Sequence, residues 1–456
     1  MNGIISLIVD LLSQPAVLVA GIALIGLLVQ QKNISEVTKG TTKTFLGFIV
    51  LSAGAGIIST SLEPFGQIFQ NAFNVQGVVP NNEAIISIAI EEYGSTAALI
   101  MLFGMIINIL VARFTNLKFI FLTGHHTFYM ACFMAIILSV ANIGGVSSII
   151  LGAICLGFFM AIFPAMAQPT MRKITGNDSV GFGHFGTISY VMASGIGMLF
   201  KNKSTSTEDV KFPKGLDFLR DTSVSISLTM VIVYVLASLF SGPTFIEQNL
   251  SDGTNYLVFA VIQGVTFAAG VFIILAGVRL ILAEIVPAFK GISEKLVPGS
   301  KPALDCPIVF PYAPNAVLIG FLTSFIAGIL GMFALFFIGG TVIIPGIVPH
   351  FFLGATSGVF GNAFGGIKGA IAGAFANGLL ITFLPLPLIP FLGELGQAST
   401  TFSDTDFLAV GMTFGYAAQY LGYIGVIAGI IILAAVSILI KSRGGKKTDM
   451  SDKKSA

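Results

Sequence analysis

Apolar positions along this chain fall in long blocks. They show neither the two-residue alternation of a half-buried strand nor the narrow stripe of a soluble helix. The blocks centre near residues 14–30, 44–62, 94–112, 120–142, 145–167, 223–242, 256–286, 315–338, 341–364, 369–390 and 407–440. A helical span needs about 20 mostly apolar residues, so the pattern predicts an all-α polytopic membrane protein with about eleven transmembrane helices.

Three further apolar stretches are too interrupted to span: NNEAIISIAIEEYGS from Asn81, SVGFGHFGTISYVMASGIGMLF from Ser179 and ALDCPIVFPYAPNA from Ala303. Such backbone is tolerated at membrane depth only where protein or water satisfies its freed polar groups. Each stretch is therefore expected to form a re-entrant hairpin lining a cavity.

Charge gives the direction of threading. Lys32, Lys39 and Lys43 separate the first two blocks, and Arg113 and Lys118 follow the third. Arg172, Lys173, Lys201, Lys203, Lys211, Lys214 and Arg220 follow the fifth, Lys290, Lys295 and Lys301 the seventh, and Lys368 the ninth. Residues 63–93, 243–255 and 391–406 hold no Lys or Arg, and the end of the chain reads KSRGGKKTDMSDKKSA. By the positive-inside rule the amino terminus lies outside and the carboxyl terminus in the cytoplasm, which requires an odd number of spans. Residues 1–441 then form one membrane domain and 442–456 a basic cytoplasmic tail. No basic region precedes the first block, so no cleavable signal is expected.

A repeat underlies the blocks. AGAGIISTSLEPF from Ala53 and AGVRLILAEIVPAF from Ala276 place Ala-Gly the same distance before Pro64 and Pro287. The same offset carries Asn82 onto Asp305 and brings His126 within a residue of His350. In the threading above the two copies run in opposite directions, the pattern of carriers that bind substrate near the midplane at broken helices. Repeat one covers about 14–220, repeat two about 221–406, and a final span 407–440.

Composition excludes several classes. Only 10% of residues are charged, against about 25% in a soluble domain. Cys132, Cys155 and Cys306 lie in or beside apolar segments without CxxC spacing, so no disulfide framework, metal site or cofactor is expected. No GxxxxGK[ST] loop supports ATP coupling, and no basic aromatic surface supports nucleic-acid binding. Nucleophile–base spacing for an intramembrane enzyme is also missing.

The polar residues inside apolar segments carry the chemistry. Ionisable groups at membrane depth are costly and mark functional sites. His125 shares a helix face with Tyr129 and suits a donor to a hydroxyl or enediol oxygen. His126, about 100° further round the helix, is expected to pack or to cap a backbone group. His184 sits between glycines in GFGHFG, where backbone can approach a ligand closely. Phe185 beside it either stacks on a sugar face or fills space. Asp305 needs partners, which two substrate hydroxyls or a salt bridge would supply. Glu83 enters from the outer side, where water could solvate it. Arg279 and Glu284 form an expected structural pair, and the glycines of GVFGNAFGG permit close helix contact.

The runs GTTKTFLGFIVLSAGAGI (40–57), FLTGHHTFYMA (121–131), GFGHFG (181–186), AFKGISEKLVPG (288–299), ALDC with APNAV (303–317) and IIPGIVPHFFLGATSGVFGNAFGG (343–366) resemble the integral membrane IIC component of the ascorbate-type phosphotransferase system. The resemblance implies a multi-pass protein of the bacterial inner membrane, homodimeric, with a scaffold and a mobile core that moves substrate by an elevator-type mechanism. It also implies phosphorylation of the substrate by a separate IIB protein, whose phosphocysteine is charged from phosphoenolpyruvate through IIA. The short tail after Lys441 leaves no room for a fused IIA or IIB domain. The substrate contacts implied for L-ascorbate fall on Asn82, Glu83, His125, His126, Thr127, Phe128, Tyr129, His184, Phe185 and Asp305. The family has glutamine where this chain has Tyr129 and Phe185, and Asn82 and Glu83 also differ from its usual residues. Those departures leave another polyol, pentose or sugar acid open as substrate. An ion- or proton-coupled carrier without IIB, relaying protons through Asp305, His125 and His184, is the reading from a different class.

Overall fold

Backbone groups in an apolar block must pair within their own segment, which favours helix. The computed structural model describes residues 14–73, 78–201, 203–209, 222–295, 297–339, 341–397 and 400–439. Its helices are α1 (Pro15–Val29), α2 (Ile34–Phe73), α3 (Asn82–Phe114), α4 (Gly124–Val140), α5 (Gly145–Thr175), α6 (Thr187–Leu199) and α7 (Thr222–Ser241). They continue with α8 (Pro243–Asn249), α9 (Tyr256–Lys295), α10 (Pro314–Ile338), α11 (Ile347–Phe383), α12 (Thr405–Val410) and α13 (Tyr416–Leu439). Among the described residues five helices are long and apolar enough to cross a membrane, or six if the bent pair α7–α8 is one span. The chain is thus a multi-pass membrane protein. Its basic tail, the Lys211–Arg220 stretch and the side chains of Arg279 and Glu284 lie outside the described residues.

Two glycines reverse the chain, one at the boundary expected between two apolar blocks and one inside a block that reads as continuous. Gly366 has φ 58° and ψ −149° within α11, and a Cβ on Gly361 would collide with the Gly369 carbonyl eight residues on. Residues that far apart in a straight helix are separated by about 12 Å, so α11 is a helical hairpin. Its arms are the blocks expected at 341–364 and 369–390. Gly422 (φ 57°, ψ −138°) does the same in α13, bringing Gly425 onto the Ala417 carbonyl. The single final span expected over 407–440 is therefore folded back on itself.

Five short strands depart from the all-α expectation: β1 (Val79–Pro80), β2 (Phe119–Phe121), β3 (Gly181–Phe182), β4 (Lys301–Leu304) and β5 (Thr400–Thr401). Runs of two to four residues are too short to produce a readable alternation. In one sheet β4 lies between β2 and β3, all parallel, with Phe119 opposite Lys301 and Gly181 opposite Ala303. In the other β1 pairs parallel with β5, Val79 opposite Thr400, and Val78 bridges Ile343 on its other side.

Each strand runs into a helix or turn at its carboxyl end: β1 into α3, β2 into α4, β3 into α6, β5 into α12, and β4 into the 3-10 turn Cys306–Ile308. GFGHFG is thus a strand and a turn, and α6 begins at the next residue. The Asn81 stretch is instead the first part of one continuous helix, α3. Two large apolar cores flank these strand ends. Phe182, Tyr190, Cys306 and Phe360 belong to one, and Phe121, Phe133, Phe185 and Phe407 to the other.

At the opposite end of β4, Lys301 Nζ lies 2.7 Å from Asp178 Oδ2, and Arg172 Nε lies 2.7 Å from Oδ1. Gln168 Nε2 also donates to that carboxylate at 2.7 Å. Burial works against the charge on Asp178, but the hydrogen bonds from Lys301, Arg172 and Gln168 outweigh it and hold the carboxyl below its ordinary value. A group depressed in this way stabilises the fold above its unfolded pKa and loses that contribution as pH falls through the folded value. Because the pair is partly exposed, its worth is about 1 kcal/mol or less. Between about pH 5 and pH 3 the unfolding temperature of wild type in detergent should fall further than that of Asp178→Asn; parallel curves would remove Asp178 from the acid response. Gly366→Val should cost about 1–3 kcal/mol from its left-handed backbone alone, since its side chain also meets the Thr205 carbonyl. Its measure is the yield of monodisperse protein, and a wild-type yield would contradict the hairpin.

Candidate functional site

The carboxyl ends of the five strands deliver the polar residues to one place. Following β1 is Asn82, following β2 are His125 and His126, following β3 is His184, following β4 is Asp305, and following β5 are Ser403 and Asp404. A helix cannot bring residues so remote in sequence so close at its own end. Parallel strands from different parts of the chain can, because their ends lie about 4.8 Å apart.

The outer pair of segments is clamped by amide bonds. Asn82 Nδ2 donates to Asp404 Oδ1 at 2.8 Å, and its Oδ1 accepts from Ser403 N at 3.0 Å. Ser403 Oγ donates to the same carboxylate oxygen at 2.7 Å. Two residues on, Asp406 accepts from the amides of Thr187 and Ile188 at 2.9 and 2.8 Å, capping the start of α6. Asp406 N in turn donates to the Phe185 carbonyl at 2.9 Å. A carboxylate at a helix amino terminus pairs with amides that have no intrahelical partner and with the positive end of the helix dipole. Thr123 Oγ1 donates to the Gly183 carbonyl, which fixes the end of β2 to that of β3.

Within this frame three imidazoles alternate with two carboxylates. His125 Nε2 lies 3.4 Å from Asp305 Oδ2. His184 Nε2 lies between Asp305 Oδ1, at 3.9 Å, and Asp404 Oδ2, at 3.7 Å. His126 Nδ1 is 3.8 Å from Asp404 Oδ2. The other nitrogen of His184 shares a hydrogen bond of 2.9 Å with Tyr190 Oη, and Asp305 Oδ1 accepts from Cys306 N at 2.6 Å. His125 is the partly open member, whereas the side chains of His126, His184 and Asp404 are 5%, 3% and 3% exposed. A set of imidazoles, carboxylates and hydroxyls both donates and accepts, which matches hydroxyl groups that do the same.

The expected contact residues divide on their surroundings. His125, His126, Tyr129, His184 and Asp305 come together: the Tyr129 ring is 5.8 Å from His125 and 5.9 Å from His126, and the rings of His126 and His184 are 3.8 Å apart. His126 is a buried, inner member of the cluster. Asn82 reaches the cluster through Asp404 and Ser403. Thr127 bonds back to the Thr123 carbonyl of its own turn at 3.0 Å, and Phe128 packs against the second core. Phe185 is fully buried and stacked on Phe121, centroids 4.9 Å apart, so that ring face is covered by protein. The side chain of Glu83 lies outside the described residues. His350 shares a 2.9 Å hydrogen bond with Ser324, which also accepts from Asn377 at 3.0 Å.

Ser403, Asp404, Asp406 and Tyr190 are the residues that sequence reading did not select. A signal existed for the acids: residues 391–406 contain acids without a single base, set between apolar blocks.

Residues 10–406 match the family described as the PTS system sugar-specific permease component, EIIC-GAT. The chain is also similar to the ascorbate-specific PTS system EIIC component of Mycoplasma pneumoniae, with 28% identity over 407 residues. That match covers 78% of this chain and 62% of the relative, so the chain spans less than two thirds of the relative's length.

Asn82→Ala removes two buried hydrogen bonds and leaves the Ser403 amide and Asp404 short of a partner. The expected cost is about 1–3 kcal/mol, read as a lowered unfolding temperature, with Asn82→Asp worse because it sets two carboxylates together. An unfolding temperature unchanged in both variants would mean the clamp does not hold the site.

Proposed function

The chain belongs to the sugar-specific permease family of the phosphotransferase system, EIIC-GAT, and we propose that it binds and translocates L-ascorbate or a closely related sugar acid. A separate IIB protein then phosphorylates the substrate, with IIA upstream. The observation that carries this reading is the alternation His125–Asp305–His184–Asp404–His126, gathered from four segments at the ends of parallel strands. Enediol and hydroxyl oxygens of one small solute would bridge groups that stand just too far apart to bond each other.

The proposed architecture is two repeats of opposite orientation with about eleven spans, a homodimer, and an elevator-type core. Its support is the matching order of the two halves. The central strands β1 and β4 each follow a 40-residue helix, α2 or α9. Each central strand takes both parallel neighbours from the other half, one from the segment before a histidine-bearing helix and one from near that half's end. Asn82 and Asp305 occupy equivalent places beyond them. In the proposed threading the amino terminus is outside, and Arg172, Lys173 and Lys301 face the cytoplasm. The basic surface of residues 172–220 and 290–301 would attract an acidic IIB partner.

A second substrate reading rests on one feature: Asp305 and Asp404 both flank the site, and two carboxylates favour an uncharged polyol or pentose over an anion. An ion-coupled carrier would use the same chain of groups, and dependence of uptake on phosphoenolpyruvate separates it from a phosphotransferase permease. The deciding experiment is binding of L-ascorbate to purified protein beside a panel of pentoses, hexitols and sugar acids. Saturable ascorbate binding should weaken about 10–100-fold in His125→Ala and Asp305→Ala, the loss of a charge-assisted hydrogen bond. Wild-type affinity in both variants would remove the site, and response to a polyol alone would replace the substrate.

A further inference from the structure

We propose that His126, His184 and Asp404 form a binding site for a first-row divalent metal ion of the zinc class. His126 Nδ1, His184 Nε2 and an Asp404 carboxylate oxygen lie within 4.8 Å of one another, and all three residues are buried. Two histidines and a carboxylate are a donor set that such ions take up, at bond lengths of about 2.0–2.2 Å.

The separations exclude direct hydrogen bonds and leave room for a bridging ion, as they do for a solute oxygen. From Asp404 Oδ2 to the two ring nitrogens the distances are 3.8 and 3.7 Å. Hydrogen bonds between nitrogen and oxygen span about 2.7–3.2 Å, so neither contact is one. Ligands of a common tetrahedral ion stand about 3.4 Å apart at these bond lengths, which the two distances to Asp404 reach by shifts of a few tenths of an ångström.

His126 Nδ1 supplies the independent sign. It is a buried polar atom with no hydrogen-bond partner, on a side chain only 5% exposed and 3.8 Å from Asp404 Oδ2. Leaving such an atom unpaired costs about 1–3 kcal/mol, a cost that coordination removes.

The outer contacts fit as well. Metal-bound histidines commonly bond their second nitrogen to a fixed partner, and bound carboxylates are themselves hydrogen-bonded. Here Tyr190 Oη sits 2.9 Å from His184 Nδ1, and Asn82 and Ser403 both donate to Asp404 Oδ1. No spacing rule finds this site, because its ligands come from three remote segments. Three protein ligands leave a fourth position, which could accept a substrate oxygen; that last step rests on the permease reading above, whereas metal binding does not.

Cobalt(II) reports such a site directly, since its visible bands reveal tetrahedral coordination. Chelator-treated, detergent-purified protein titrated with Co2+ should bind one ion per protomer, saturably, and release it to Zn2+. His126→Ala should weaken binding at least tenfold and Asp404→Asn likewise, both checked for a wild-type elution profile. Tyr190→Phe, which leaves all three ligands in place, should weaken it less. Absence of saturable Co2+ binding, or equal binding in wild type and in both ligand variants, overturns the proposal. Sugar binding measured on the same chelator-treated protein keeps the two readings apart: sugar without metal removes the ion alone, and metal without sugar removes the substrate assignment alone.

Discussion

Buried backbone must find its hydrogen-bond partners within the protein, and this fold answers that constraint by pairing strands from distant parts of the chain. Phe119–Phe121 and Gly181–Phe182 bond across Lys301–Leu304, and Val79–Pro80 bonds to Thr400–Thr401. An unpaired buried amide or carbonyl costs about as much as a lost hydrogen bond. The pairs are therefore obligatory, and once they form, the residues just beyond them have no choice of position. His184, Asp305, Asp404 and both His125 and His126 stand together because the strands that precede them must.

Much of the architecture was legible because one solvent dictates it. Long apolar blocks became helices, and the glycine-broken stretch at GFGHFG became a strand and turn that present His184. His125, His184 and Asp305 were readable as ionisable groups in apolar surroundings. What was not readable depends on partners that no local pattern names. A strand of two residues has no periodicity. Gly422 looks like any other glycine in a helix until Gly425 is seen against the Ala417 carbonyl, whereas the break at Gly366 falls between two expected blocks.

His126 and Asp404 take their places for a related reason. His126 lies in the first turn, where α4 leaves β2, and neighbours approach there along the axis as well as from the side. Asp404 lies in the acid-bearing connection 391–406. Its carboxylate is held by Asn82 more than three hundred residues away, a pairing visible only once the sheets are built. In both cases the missing information was which segments share an end.

The same pairing constrains how a carrier of this kind can move. Groups that line the site come from both halves of the chain and are tied by hydrogen bonds: Asn82 to Ser403 and Asp404, Asp406 to Thr187 and Ile188, Thr123 to Gly183. A rocking motion that parted the halves at the site would expose these buried groups to an apolar surround and forfeit several hydrogen bonds at once. A motion that carries the clamped strand ends as one body leaves them intact. For the permease proposed here, the clamp is therefore a reason to prefer the proposed elevator-type displacement over rocking. The glycine reversals at 366 and 422 keep each hairpin's two arms together during such a displacement, because each turn holds its arms in contact at its own apex.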